Sequence, residues 1–204
     1  MKQFFPSQTG EQLLLSKIID YKLDNFFKQG MNRKESIKIL YLEQELPLGP
    51  EKIKINTKHG PVYLKGKLDR VDERMLGGNR RIVILDYKTG VYSLPKKSIN
   101  KDCLISREEI KKVISSFQLP LYIYLFSQSR KISSLGIQAS FYSLRETKEE
   151  FLFRDNHPQE SLEIYLTAAK RIFSEILSPD CGFVRDDSDE HYCGFCPFPG
   201  LCKR

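Results

Sequence analysis

The residue types best suited to chemistry are two aspartates, Asp69 and Asp86, and a lysine, Lys88. Asp86 and Lys88 are two positions apart, and side chains alternate between the faces of a strand, so both are predicted on one face. Mg²⁺ prefers oxygen ligands and is often held by one or two carboxylates. Two acids and a lysine around such a cation suit phosphodiester hydrolysis, because the metal polarises a phosphoryl oxygen and activates water.

A β-hairpin must bring the two aspartates together. Runs rich in β-branched and aromatic residues stand on both sides of Gly77-Gly78, and glycines permit the positive φ angles of a tight turn. With this pair at the centre, Asp69 is predicted opposite Asp86, and Lys67 opposite Lys88. Facing carboxylates are unfavourable in a sheet, and a bound cation would remove that penalty. A solvated, charged hairpin face without a metal is the alternative that these residues leave open.

The chain resembles the PD-(D/E)XK nuclease superfamily in two motifs. More narrowly, it resembles the RecB-type and AddB-type nuclease domains of bacterial helicase–nuclease complexes. The resemblance implies an α/β fold with a restriction-endonuclease-like core, in which helices flank a mixed central sheet. It implies that Asp69, Asp86 and the Tyr87 backbone carbonyl bind Mg²⁺ or Mn²⁺, and that Lys88 is the catalytic lysine. The motifs are Gly66-Lys67-Leu68-Asp69-Arg70-Val71-Asp72 and Leu85-Asp86-Tyr87-Lys88-Thr89-Gly90.

The same resemblance adds three residues to the site. Gln118 and Tyr122 fit the family's Gln-x-x-x-Tyr motif, which implies a place beside the active site, contacting DNA or orienting a metal-bound group. Glu43 fits a glutamate that precedes the Gly-x-x-Asp strand, and an acidic residue there is a further candidate near the metal. Without the resemblance, Gln118 and Tyr122 are neighbours on a helix surface, and Glu43 is a solvated strand carboxylate.

A cysteine-rich tail, residues 181–204, ends with Cys193, Cys196 and Cys202 at Cys-x₂-Cys-x₅-Cys spacing. Clustered cysteines in a cytosolic chain favour a metal over disulfides. In AddB-type and CRISPR-associated nucleases this pattern binds a [4Fe–4S] cluster, so the resemblance implies a metal-bound terminal staple. The family's fourth cysteine lies upstream of the nuclease core, where this chain has none. Cys181 as a substitute, a zinc site completed by His191, and a missing fourth ligand are the alternatives.

The family also carries a metal-binding histidine on an upstream helix, and His59 does not match it. We therefore expect residues 1–204 to form a single nuclease-like domain that is the C-terminal part of a longer protein.

The composition agrees with a polyanionic partner. The formal net charge is +7 and the pI about 9.1, which favours DNA through neutralisation of phosphates. Candidate DNA contacts are Lys67 and three lysines after the hairpin, Lys96, Lys97 and Lys101, although a solvated loop explains the latter equally well. No apolar run approaches the ~20 residues that span a bilayer, and no signal peptide is visible, so we expect no membrane and a cytoplasmic location.

Hydrophobic periodicity predicts the remaining elements. An N-terminal helix is expected to pack its apolar residues, including Leu14, Ile18 and Tyr21, into the core. One long helix is expected from Ser106, with Glu109 in a capping box and a kink at Pro120. The elements are helices over 9–28, 106–125 and 159–177 and strands over 37–46, 52–57, 62–71, 81–88 and 135–144.

Together with the residues themselves, the resemblance implies a Mg²⁺-dependent deoxyribonuclease of the RecB/AddB type, an exonuclease or endonuclease acting in DNA repair, with an attached helicase as a candidate partner. The alternative is a nuclease-fold module that binds DNA and is inactive as this fragment, because the upstream histidine is missing.

Overall fold

The computed structural model describes residues 10–32, 36–94, 99, 106–153, 158–182, 193–197 and 200. Its helices are α1 (Gly10–Asn32), α2 (Arg107–Val113), α3 (Gln118–Arg130) and α4 (Pro158–Ile176). Its strands are β1 (Ile37–Leu46), β2 (Ile53–Thr57), β3 (Gly60–Leu64), β4 (Gly66–Leu76), β5 (Asn79–Lys88), β6 (Ile137–Ser143) and β7 (Lys148–Phe151). None of the helices in these ranges is long and apolar enough to cross a membrane.

Five strands form a mixed sheet in the order β1-β4-β5-β6-β7. β5 and β6 are parallel, and the other neighbouring pairs are antiparallel. Parallel neighbours need a long crossover connection, and α2 and α3 lie in the segment that joins β5 to β6. α3 packs against the sheet and against α4. The predicted fold class, a mixed sheet flanked by helices, is confirmed.

The predicted turn at Gly77-Gly78 is also confirmed. Both glycines have positive φ, +57° and +79°, as a two-residue hairpin turn of type I′ requires. The ladder between β4 and β5 runs in the predicted register from Leu76 opposite Asn79 to Arg70 opposite Leu85. It ends there, so the predicted pairs of Asp69 with Asp86 and of Lys67 with Lys88 are not part of it.

The run 62–71, predicted as one strand, is in fact two strands. β3 ends at Leu64 and pairs with β2 in a separate two-stranded sheet, whereas β4 begins at Gly66. A Cβ atom on Gly66 would lie 3.2 Å from Leu125 Cδ1 and 3.4 Å from Tyr122 Cε1. The glycine therefore lets the chain pass close to α3 where it changes sheets.

The single helix predicted over 106–125 is also two helices. Ser106 and Glu109 form the predicted capping box, but α2 ends at Val113, and α3 begins at Gln118. Pro120 does not kink a helix, because it lies in the first turn of α3. Backbone N–H groups in a first turn have no partner within the helix, so the missing N–H of proline costs nothing there.

The core lies between the sheet and α2, α3 and α4. It contains Leu68, Val71, Ile84, Ile123 and Phe141, all at most 2% exposed.

The prediction that α1 packs its apolar residues into this core was wrong. None of its residues is buried, and Leu14 is 61% exposed. One residue of α1, Phe26, makes edge-to-face aromatic contacts with Tyr87 and Tyr142 of the sheet.

Candidate active site

Asp86 lies near the carboxyl end of β5 and is only 4% exposed. Its Oδ1 atom accepts a hydrogen bond of 2.6 Å from Gln118 Nε2. Its Oδ2 atom lies 2.5 Å from Lys88 Nζ in an ion pair. No donor in the described part of the chain is aligned for a hydrogen bond to Oδ2. Burial raises the pKa of Asp86; Lys88 opposes the rise, and the nearby Asp69 carboxylate adds to it.

The side-chain amide of Gln118 joins three other residues of the site. Its Nε2 atom donates to Asp86 Oδ1 and, at 3.0 Å, to the Tyr122 hydroxyl, while its Oε1 atom accepts from Lys88 Nζ at 2.8 Å. Both donor hydrogens are used and the oxygen faces a cation, so the amide orientation is determined by its surroundings. The structure therefore brings Asp86, Lys88, Gln118 and Tyr122 into one cluster.

The elements explain this arrangement. Asp86 and Lys88 share a face of β5 because they are two residues apart, and Gln118 and Tyr122 share a face of α3 because they are four apart. Burial, together with the charges of Asp86 and Asp69, raises the pKa of the Tyr122 phenol, against the effect of its hydrogen bond with Gln118. The phenol is therefore protonated at neutral pH.

Asp69 stands where the β4–β5 ladder stops. Its Oδ2 atom accepts a hydrogen bond of 2.9 Å from the backbone N–H of Tyr87. A side chain thus takes a strand N–H just past the last paired residues, Arg70 and Leu85. This contact places Asp69 beside Asp86, which also agrees with its effect on the pKa of Asp86.

The aromatic and polar groups around Lys88 limit its movement. Its Nζ atom lies 4.8 Å from the centroid of the Phe141 ring, and its side chain is 25% exposed. Phe141 is opposite Asp86 in the parallel β5–β6 ladder. The ammonium therefore lies between an aromatic ring, the Asp86 carboxylate and the Gln118 oxygen, which makes its position well defined.

Glu43 lies close to Asp69 in the sheet, and its carboxylate pairs with a neighbouring lysine. β1 places it between the residues that pair with Arg70 and Leu68, and therefore next to Asp69. Its φ angle is +52°, and its carboxylate pairs with the exposed Lys67 at 2.5 Å. Within the described residues, no group of three or more His, Cys, Asp or Glu side chains is placed to hold a metal ion.

Asp69 and Asp86 nevertheless fit a divalent cation. Both are oxygen donors, which Mg²⁺ and Mn²⁺ prefer. Asp86 Oδ2 is a buried carboxylate oxygen without an aligned hydrogen-bond donor among the residues that the structure describes. The Lys88 ammonium offsets part of its desolvation cost, and a bound divalent cation would offset more.

A buried ionic network on the opposite face of the sheet was not predicted. Asp72, which is fully buried, accepts from Arg70 Nε at 2.7 Å and from Arg74 Nη2 at 2.8 Å. Arg74 Nη1 donates to both carboxylate oxygens of Glu149 at 2.9 Å. Arg70 Nη1 also lies 3.4 Å from the Tyr87 hydroxyl, which links the network to the strand that carries Asp86.

One sequence signal was available for this network. Charged residues at 70, 72 and 74 alternate with the period of a strand, so they share a face. Ordinary solvation is the usual explanation of such a pattern. Tertiary contacts show that this face is not simply solvated: Glu149 of β7 pairs with Arg74, and Phe26 of α1 packs against Tyr87 and Tyr142 on the same face.

Several predicted residues lie outside the described ranges: Lys96, Lys97, Lys101, His191 and Cys202. Of the tail, Cys193 and Cys196 lie one turn apart, with the Cys196 N–H donating to the Cys193 carbonyl at 3.3 Å. Cys181 is exposed and lines a cavity together with Arg107.

Comparisons with known proteins agree with this geometry. Residues 10–203 match the family described as the PD-(D/E)XK nuclease superfamily. No curated protein matches the chain. A solved structure titled "Crystal structure of SSO0001" aligns with 95% of this chain and 70% of its own, at 17% identity and a TM-score of 0.38. So low a TM-score adds nothing to the assignment. The family match covers nearly the whole chain, both motifs included, and the chain therefore belongs to the PD-(D/E)XK nuclease superfamily.

Proposed function

We propose that this protein is a metal-dependent deoxyribonuclease of the RecB/AddB type that acts in DNA repair. The observation that supports this best is the Gln118 amide, which joins Asp86, Lys88 and Tyr122 next to Asp69. A buried carboxylate, a restrained lysine and a second carboxylate are the groups that metal-assisted phosphodiester hydrolysis needs.

Each residue has a distinct role in this proposal. Asp69, Asp86 and the Tyr87 carbonyl hold Mg²⁺ or Mn²⁺, which when bound supplies Lewis acidity and an activated water. Lys88 stabilises negative charge that develops on the phosphoryl oxygens. Gln118 holds the side chains of Lys88 and Asp86 in position by hydrogen bonds to both, and Tyr122 presents a protonated phenol to the same site.

Cleavage of labelled single- and double-stranded DNA, linear and circular, with Mg²⁺ or Mn²⁺ and with EDTA, tests the proposal. We expect cleavage with metal only, and its loss in Asp86→Ala. Asp20→Ala, on an exposed position of α1, is the control and should cut as the wild type does. Metal-dependent cleavage that persists in Asp86→Ala would refute the assignment. Linear and circular substrates separate exonuclease from endonuclease action.

A second candidate is a nuclease-fold module that binds DNA without cutting it. It is favoured by the metal-ligand set, because only two carboxylates meet in the described site. It predicts the same binding of DNA by the wild type and Asp86→Ala, with no cleavage by either under any metal.

We further propose that residues 1–204 are one domain, and that Cys193, Cys196 and Cys202, with Cys181 or His191, bind a [4Fe–4S] cluster or zinc. The contact between Cys193 and Cys196 supports this, because it sets the two residues one turn apart. Iron, sulfide and zinc analysis of anaerobically purified protein is the test. If iron, sulfide and zinc are all absent, these cysteines are ordinary thiols.

A helicase partner follows only from the RecB/AddB resemblance, and co-purification tests it.

A further inference from the structure

The small sheet of β2 and β3 has two unlike faces. Ile53 and Ile55 on β2 are buried, and β2 packs against α3 and α4. On the other face, Lys54 is opposite Tyr63 in the ladder, both are exposed, and the Tyr63 side chain is 57% exposed. An antiparallel hairpin with one apolar and one solvated face is anchored on its inner side, so its outer side is available to a partner.

That outer side is strongly basic. Between residues 51 and 65 stand four lysines and one carboxylate, Glu51, which pairs with Lys131. Lys52 Nζ lies 5.4 Å from the centroid of the Tyr63 ring. Lys54, Lys58 and Lys65 form no ion pair within the part of the chain that the structure describes. Unneutralised lysines beside an exposed aromatic ring suit a strand of nucleic acid, because phosphates meet the cations and an unpaired base stacks on the ring.

The hairpin is fixed to the helix that carries Gln118 and Tyr122. The Tyr124 hydroxyl on α3 donates to the Lys54 carbonyl at 2.9 Å, and Gly66 packs against Tyr122 and Leu125. β3 leads through Lys65 directly into β4, so Tyr63 precedes Asp69 by six residues. Six extended residues span at most roughly 20 Å, a distance that a few nucleotides of a single strand can bridge.

The basic surface also continues past the hairpin turn. Lys58 lines a cavity of about 660 Å³ together with Lys170 and Arg171 on α4. Glu108 and Glu175 also line this cavity, and both pair with Arg107. The two lysines and the arginine extend the row of cations away from Asp69. A strand that runs along this row would thus meet positive charge on both sides of the turn.

We infer that the outer face of the β2–β3 hairpin, with Lys52, Lys54 and Tyr63, and its turn, with Lys58, bind single-stranded nucleic acid and lead it to the Asp69–Asp86 site. This inference rests on the proposed function for what happens at that site, but the binding itself needs neither metal nor catalysis. Stacking on Tyr63 requires an unpaired base, since bases inside a duplex offer no open ring face.

Fluorescence anisotropy with a labelled oligothymidylate and a labelled duplex, in EDTA and over a range of salt, tests the inference. Lys54→Ala/Lys58→Ala should weaken binding and reduce the slope of log K against log salt by about 1.4, or about 0.7 per phosphate contact. The control, Lys17→Ala/Lys38→Ala, removes the same charge from exposed positions of α1 and β1 and should leave both nearly unchanged.

Variants of Tyr63 distinguish the contribution of base stacking from that of charge. Tyr63→Ala should weaken single-strand binding roughly 5- to 100-fold without changing the salt slope, and Tyr63→Phe should restore it. Duplex binding should change little in either variant. Because Tyr63 and both lysines are exposed, we expect all variants to keep the wild-type midpoint of thermal unfolding, which verifies folding.

Three results would overturn the inference: no binding of the oligothymidylate, equal losses in the hairpin and control double variants, or a Tyr63→Ala loss as large for duplex as for single strands. The outcome is independent of the proposed function. Asp86-dependent cleavage with unaffected hairpin variants would refute this inference alone. The expected binding losses without any cleavage would keep it and refute the nuclease assignment.

Discussion

Gln118 Nε2 donates a hydrogen bond of 2.6 Å to Asp86 Oδ1, and this bond connects the first residue of α3 to β5 across 32 positions of the sequence. It gives a buried carboxylate a donor on one oxygen and leaves the other oxygen facing Lys88. This bond links β5 to α3, so the positions of the Asp86 and Lys88 side chains depend on how α3 packs against the sheet.

The first prediction concerns this bond. Gln118→Ala should lower kcat/KM about 10- to 100-fold, because a hydrogen bond to a charged group contributes about 1.5–3 kcal/mol. Steady-state cleavage rates measure the effect. Gln128→Ala, on an exposed position of the same helix, is the matched control. Equal rates in the two variants would show that the Gln118 amide does not position the site.

The second prediction concerns metal binding. Mn²⁺ should raise the midpoint of thermal unfolding of the wild type, because a ligand of the folded state at 100 times its Kd stabilises by about 2.7 kcal/mol. Asp69→Asn and Asp86→Asn should lose most of this rise, since each removes one of two carboxylate ligands. Calorimetry with and without Mn²⁺ checks this, with Asp20→Asn as the control. A full metal-dependent rise in Asp86→Asn would place the metal elsewhere.

The third prediction concerns the buried network. Asp72→Asn should lower the free energy of unfolding by about 3 kcal/mol, because it removes the buried carboxylate that pairs with both Arg70 and Arg74 and leaves Arg74 with Glu149 alone. Glu73→Gln, on the same strand, should cost at most about 1 kcal/mol, since its partner Arg80 is exposed. Urea unfolding measures both. A similar loss of unfolding free energy in the two variants would show that the buried network does not stabilise the fold.

The fourth prediction concerns alkaline pH. Burial and the hydrogen bond to Glu150 raise the pKa of Tyr92 from 10.0 to about 12. The folded state therefore holds this proton more tightly than the unfolded state. The resulting stability is complete below pH 10 and is lost as pH rises towards 12.

Tyr92→Phe cannot ionise and lacks that contribution. We therefore expect the difference in unfolding free energy between wild type and Tyr92→Phe to shrink between pH 10 and 12. Urea unfolding at a series of alkaline pH values measures it, and the other titrating groups cancel in the difference. A constant difference across this window would show that the Tyr92 pKa is unchanged on folding.

The sequence by itself determined the features that depend on near neighbours. Gly77-Gly78 predicted the hairpin and its register, because a two-residue turn of positive φ admits one pairing of the flanking strands. Alternation along a strand put Asp86 and Lys88 on one face. Ser106 and Glu109 predicted the start of α2, because a capping box is closed within four residues.

Tertiary structure decided what depends on distant parts of the chain. The break between β3 and β4 at Lys65 follows from the close passage of Gly66 over α3, which no local pattern encodes. The α1 pattern predicted a core helix, yet that helix has no buried residue, because periodicity shows an apolar face without showing what covers it.

The same distinction between local pattern and distant contact applies to Asp69, Asp72 and Gln118. Motif spacing identified Asp69 and Gln118, but only packing shows that Asp69 takes the Tyr87 N–H and that the Gln118 amide lies between Asp86 and Lys88. Asp72 belongs to a buried network that was not predicted, because Glu149 of β7 joins that network only in the folded sheet. Hydrogen bonds between residues far apart in sequence form only where the packed elements meet, and that meeting is a property of the whole fold.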